Sequence, residues 1–136
     1  MVPDGRPDAR PAIWALHAGR AGLASLFVLG GINKVANYGP TAADMAAVGL
    51  QPVAILLPAT IALELGLGLV LALGLRWAWA AGLVLAVFTL ATNAYFHRFW
   101  TLEGDMARLE LSLFFKNVAI AGALVFAAMV TLTRRA

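Results

Sequence analysis

The chain has 136 residues, of which 62% are hydrophobic and 12% charged; its formal net charge is +3 and it contains no cysteine. A soluble domain is about 45–50% apolar and about 25% charged, so this composition excludes one and points to a single membrane domain with little mass outside the bilayer. Without cysteine the chain alone cannot supply disulfides, thiolate nucleophiles or iron–sulfur ligation. Its arginines flank apolar segments, which is the pattern of membrane topology and not of nucleic-acid binding.

Residues 1–12, rich in Pro, Arg and Asp, read as a disordered cytoplasmic tail. A first span over residues 13–36 follows, interrupted by His17 and Arg20. Its unbroken part, Ala21 to Ile32, has the length of a signal-peptide core behind Arg6, Arg10 and Arg20. No small-x-small cleavage site follows it, however, and an even bundle needs the segment. On a helix Arg20, Ala24, Phe27, Gly31 and Lys34 share one face. The stretch Asn37 to Gln51 predicts a turn at Tyr38-Gly39-Pro40 and then a short interfacial helix, with Thr41 as N-cap and Asp44 three residues on.

The second span, residues 53–75, is long enough to cross a bilayer with some tilt. It carries two stripes. Thr60, Glu64 and Gly68 are expected to face the interior, while Ala62, Gly66, Val70 and Gly74 have the small-residue spacing that lets a neighbouring helix pack closely. Arg76-Trp77-Ala78-Trp79 predicts an interfacial hairpin with an aromatic anchor. In the third span, residues 78–97, Asn93 shares a face with Thr89, Phe96 and Trp100. Thr101 to Arg108 reads as a polar loop. The fourth span covers residues 109–132 and holds Lys116 and Asn117, with Glu110 as a favourable charge near its N-terminus; a basic tail, 134–136, ends the chain.

Glu64 is the sole charged residue between Val53 and Leu75 and lies near the middle of that run. A carboxylate at the bilayer centre costs about 2.5–3.5 kcal/mol on insertion scales. Either it carries a proton or a cation sits beside it. Lys34 and Lys116 are the cations in comparable settings. Counting from Arg20 and Arg76 at about 1.5 Å per residue, Lys34 and Glu64 stand at heights of about 21 and 18 Å. Lys116, about 27 Å from Arg134 on the same rise, would have to reach inward. A cluster of Lys34, Glu64, Asn93, Lys116 and Asn117 is therefore the expected ligand-binding site.

Two uses of that cluster stand side by side. It could hold a polar guest, such as a quinone head group, or relay protons; it could equally be a buried ion pair that fixes helix register. Two lysines around one glutamate would leave a surplus positive charge, which favours an anionic guest. Arg20 is a candidate for lipid-phosphate contact, or a snorkelling arginine. His97, Arg98 and Trp100 are candidates for an entrance, or an interfacial belt. His17 and His97 fall at opposite ends of their helices, so no shared haem or metal site is expected.

The ordered set Arg20…Phe27…Gly31-x-x-Lys34, Thr41…Met45…Gly49-x-x-Pro52, Glu64, Arg76, Thr92…Phe96…Phe99-Trp100 and Phe115-Lys116-Asn117 resembles the DoxX family over residues 14–130. The segment that usually reads Phe-Leu-Lys-Asn is here Phe114-Phe115-Lys116-Asn117. The resemblance implies a four-helix protein of the bacterial inner membrane. The family takes its name from a subunit of an archaeal thiosulfate:quinone oxidoreductase, and other members look like accessory subunits of redox-stress complexes.

The expected fold is thus an all-α, four-helix transmembrane bundle. The expected function is an accessory or anchoring subunit of a quinone-linked redox system. The alternatives are a quinone-binding oxidoreductase component and a small anion or metabolite transporter, although four short helices leave a monomer little room for alternating access. No intrinsic cofactor is expected, with quinone the candidate ligand. Membrane lipid, a soluble or membrane oxidoreductase and a second copy of the chain are the candidate partners. Arg6, Arg10, Arg76, Arg134 and Arg135 fall on one side, whereas Arg98 and Arg108 on the other are offset by Asp44, Glu103 and Asp105. The positive-inside bias then places both termini in the cytoplasm. A reporter fused after Arg135 should be active only in its cytoplasmic form; an external signal would invert the topology.

Overall fold

A computed structural model describes residues 9–133 as helices joined by short turns, with no strand among the described residues. The long helices are α1 (Ala9–Ala36), α3 (Val53–Leu73), α4 (Ala78–Phe96) and α5 (Gly104–Thr133); α2 (Tyr38–Ala47) is short, and a 3-10 turn at Phe99–Thr101 precedes α5. Each long helix carries an apolar window of the length needed to cross a bilayer. The tail expected at residues 1–8, with Arg6, and the basic residues 134–136 lie outside the described residues. Residues 9–12, read as tail from their composition, continue α1.

Local chemistry sets the ends of these helices. α3 follows extended Pro52 and stops at Gly74, whose φ of +62° suits a residue without Cβ. There Gly74 N–H bonds Leu71 O and Leu75 N–H bonds Val70 O, both at 3.2 Å, so the last carbonyls are satisfied at the helix end. Asn37, not Thr41, holds the N-cap position of α2, without a side-chain cap bond, and the Thr41 hydroxyl donates to Asn37 O at 2.8 Å. α5 begins at Gly104, several residues before the expected start at Leu109. The polar stretch Gly104–Arg108 is helical, and Asp105 is the acid in the first turn.

The bundle consists of two tight pairs, α1 on α3 and α4 on α5, joined where α3 meets α4; α1 and α5 meet only sparsely. Small residues make both pairs close. A Cβ on Gly68 would lie 3.0 Å from Val28 Cγ2 and 3.3 Å from Val28 N, and one on Gly82 would lie 3.3 Å from Leu124 O. Around Gly82, Ala78, Ala81 and Ala86 of α4 are buried, as are Ala121 and Ala128 of α5. The first half of the Gly66 stripe, expected to pack, does not: Ala62 and Gly66 are exposed and nothing stands near a Cβ on Gly66, whereas Val70 is half-buried and Gly74 lies under the Arg20 guanidinium. Glu64 turns the opposite face of α3 inward, and Ala62 and Gly66 face lipid. Ala24, Phe27, Leu71, Leu85 and Leu124 form the core. Large apolar side chains such as Val87 and Phe126, each 69% exposed, cover the outside, which is normal where the solvent is hydrocarbon.

Gly68→Ala should cost about 1–3 kcal/mol, because the crowded neighbour includes backbone of α1 that cannot rotate away. Gly66→Ala should stay within about 0.5 kcal/mol of the parent. Unfolding in mixed micelles reads both, and equal losses would contradict the close α1–α3 approach.

Candidate functional site

The packing of α1 on α3 brings Lys34, in the last turn of α1, against Glu64, midway along α3. Lys34 Nζ stands 2.9 Å from Oε1 and 2.9 Å from Oε2 of the carboxylate. Its hydrogen bond is directed at Oε1. Oε2 shares the ionic contact, but it is closed to solvent and receives no well-directed donor. The Glu64 residue is only 6% exposed and the Lys34 side chain 25%, so the pair is shielded on the acid side and partly open on the amine side. Gly30 lies beside it: a Cβ there would rest in ordinary van der Waals contact, 3.6 Å from Oε2 and 3.7 Å from Nζ.

A cavity of about 290 Å³ opens against this pair at the α2 end of the bundle. Thr41, Asp44, Thr60 and Thr92 add hydroxyl and carboxyl groups to its lining, while Met45, Phe88 and Phe96 form apolar walls. The Thr92 hydroxyl donates to Phe88 O at 3.0 Å, which leaves its oxygen free to accept. Sequence reasoning assigned Thr41 and Asp44 to a helix cap and left Thr92 out of the polar cluster. The available signal was Thr60, one turn before Glu64 on the same stripe.

Asn93 and Asn117 form a second polar contact on the α4–α5 seam. Asn93 is 1% exposed. Its Nδ2 donates to Phe114 O at 3.1 Å, and its Oδ1 accepts from Asn117 Nδ2 at 3.0 Å. Interhelical bonds of this kind contribute about 0.6 kcal/mol on average within a bilayer. Asn93 does not line the cavity beside Glu64, so the expected cluster resolves into two separate contacts.

Lys116 belongs to neither. It is exposed on α5, and no hydrogen bond or ion pair of the described residues involves it. Successive helical residues diverge by about 100°, so with Asn117 turned into the seam, Lys116 points outward. The Lys34–Glu64 pair is therefore one to one, and the surplus positive charge expected from two lysines is not there.

The remaining candidates lie at the two ends of the bundle. Arg20 Nη2 donates to His17 Nδ1 at 2.7 Å. At the other end His97 Nδ1 meets Glu110 Oε2 at 2.7 Å, so Glu110 ties α5 to the end of α4 and does not cap its own helix. Arg98 is exposed. Trp100 packs edge-on to Phe99 and Phe114, with ring centroids 5.2 and 6.0 Å away, and so closes the α4–α5 turn. Neither Arg98 nor Trp100 lines the cavity.

Four apolar spans around a buried acid–amine pair define a small multi-pass membrane protein. The DoxX family profile matches residues 15–98, from α1 through the end of α4, and the chain belongs to the DoxX family, as a protein of the inner membrane. The match ends before the Phe115-Lys116-Asn117 segment. The chain is also 26% identical over 129 residues to the inner membrane protein YphA of Escherichia coli (strain K12), covering 89% of this chain and 84% of that one. No solved structure matches the chain.

Glu64→Gln should destabilise the bundle by about 3 kcal/mol, since it strands the Lys34 ammonium without a counter-charge. Adding Lys34→Met to the same chain should recover most of that loss, while Lys116→Met alone should change stability by less than about 0.5 kcal/mol. Strictly additive losses at positions 34 and 64 would show that the two side chains do not interact.

Proposed function

We propose that this protein is an accessory subunit of a membrane redox system, and that the cavity beside Lys34 and Glu64 holds the polar head of a lipophilic carrier of the quinone class. The observation that carries this reading is the ion pair itself, which forms one wall of a cavity that hydroxyls, the Asp44 carboxyl and apolar and aromatic side chains complete. The ammonium suits a quinone carbonyl as donor, and the carboxylate suits a quinol hydroxyl as acceptor. Phe88 and Phe96 flank the space a flat ring would take. At about 290 Å³ the cavity is near the lower bound of small-molecule sites, roughly 300 Å³. That admits a head group whose tail runs out into lipid.

An accessory role accords with the donor set. The chain has no cysteine, and three metal-ligating side chains converge nowhere among the described residues. On this reading electrons reach the carrier through a partner oxidoreductase. With the termini in the cytoplasm, as the arginine bias expects, α2 and the cavity lie toward the outer leaflet. Lys34 is matched by Glu64, and Asp44 adds a second carboxyl to the lining, so the cavity offers no surplus positive charge and the anion-transporter alternative draws no support from the geometry.

The test is binding of a short-chain quinone to the protein in nanodiscs. Saturable binding is expected. Thr92→Phe, which fills the cavity and leaves the ion pair in place, should weaken it at least about tenfold, the factor for one charge-assisted hydrogen bond of about 1.5 kcal/mol. Simple partitioning without saturation, unchanged by Thr92→Phe, would refute the site.

A further inference from the structure

Because α1 and α5 are each packed on another helix and scarcely on one another, a groove of about 550 Å³ runs between them. Its walls are apolar, with Leu23, Phe126 and Val130 among them. His17 and Arg20 form part of its α1 wall, between Ile13 and Leu23, with Arg20 level with the C-terminus of α3. The Arg20 guanidinium lies over Gly74, where any side chain would collide with it. One terminal nitrogen donates to His17 Nδ1. Arg20 Nε is closed to solvent and has no hydrogen-bond partner, and among the described residues no carboxylate pairs with Arg20. A guanidinium offers five N–H donors, so most of this one's capacity is unused in the wall of an apolar groove.

We propose that the groove is a binding site for an anionic phospholipid of the leaflet nearest the chain termini, with its phosphate on Arg20 and an acyl chain lying between α1 and α5. The charge matches: a cation with no counter-ion among the described residues calls for a net-negative head group, whereas a zwitterionic lipid brings a cation of its own. The length matches as well. A second stretch of groove continues along α1 past Gly22 and Ser25 to Gly30, which at about 1.5 Å per residue puts about 15 Å between Arg20 and its far end. That is half of a hydrocarbon core about 30 Å thick, the depth of one leaflet. This site is separate from the cavity beside Glu64 and stands whether or not that cavity binds a quinone.

Native mass spectrometry of the full chain, released from mixed micelles holding equal phosphatidylglycerol and phosphatidylcholine, tests the proposal. One phosphatidylglycerol per chain is expected, retained with about fivefold preference, as one cation near a membrane surface provides. Arg20→Gln should abolish that preference, and Arg98→Gln, at the opposite end of the bundle, should leave it intact. Ala127→Trp, which fills the groove with Arg20 in place, should lose the lipid too, and it decides the matter if Arg20→Gln does not fold. Equal retention of the two lipids, retention by the Ala127→Trp variant, or a lipid-free dimer occupying the groove would overturn the proposal.

Discussion

In hydrocarbon, the low dielectric that makes a lone charge intolerable also holds an opposite pair together. Glu64 sits midway along α3, nearly closed to solvent, and the helix that packs against it brings the cation. Lys34 does this from the last turn of α1, 2.9 Å from both carboxylate oxygens. The requirement propagates along the α1–α3 seam. Gly31 and Gly68 let the two helices approach until a lysine side chain can span the gap. The close packing and the ion pair are thus two sides of one constraint.

The second helix pair is held differently. Alanines and Gly82 bring α4 onto α5, and Asn93 stitches the seam to Asn117 and to the Phe114 carbonyl. The rings of Phe99, Trp100 and Phe114 then cover the turn between the two helices. The packing leaves a cavity at the α2 end beside the ion pair and an open groove between α1 and α5. These are the two places to which the quinone and phospholipid proposals assign their ligands.

The fold was largely legible in the sequence, since a run of apolar residues long enough to span a bilayer has few alternatives to a helix. The meeting of Lys34 and Glu64 was legible as well, because height along a helix follows from residue counting. Rotation about the axis does not. Lys116 and Asn117 are neighbours at nearly the same height, yet one faces outward and the other the seam, and only the contact between α4 and α5 decides which. The same blindness sent the close contact to Gly66 when Gly31, Gly68 and Gly82 make it. Thr101 to Arg108 read as loop on polarity alone. In the structure most of it is the first turns of α5, and Glu110 is thereby left deep enough in the helix to reach His97.

The pairing of Lys34 with Glu64 is open to direct measurement by solid-state NMR in lipid. In a Lys116→Arg variant Lys34 is the sole lysine, so a distance between its labelled nitrogen and glutamate side-chain carboxyl carbons is unambiguous on the amine side. Strong dipolar coupling to one carboxyl carbon, lost on Glu64→Gln, is expected from the 2.9 Å approach to both oxygens. A lysine nitrogen coupled to no carboxyl carbon would contradict it, and with it the basis on which α1, α3 and the adjoining cavity have been understood.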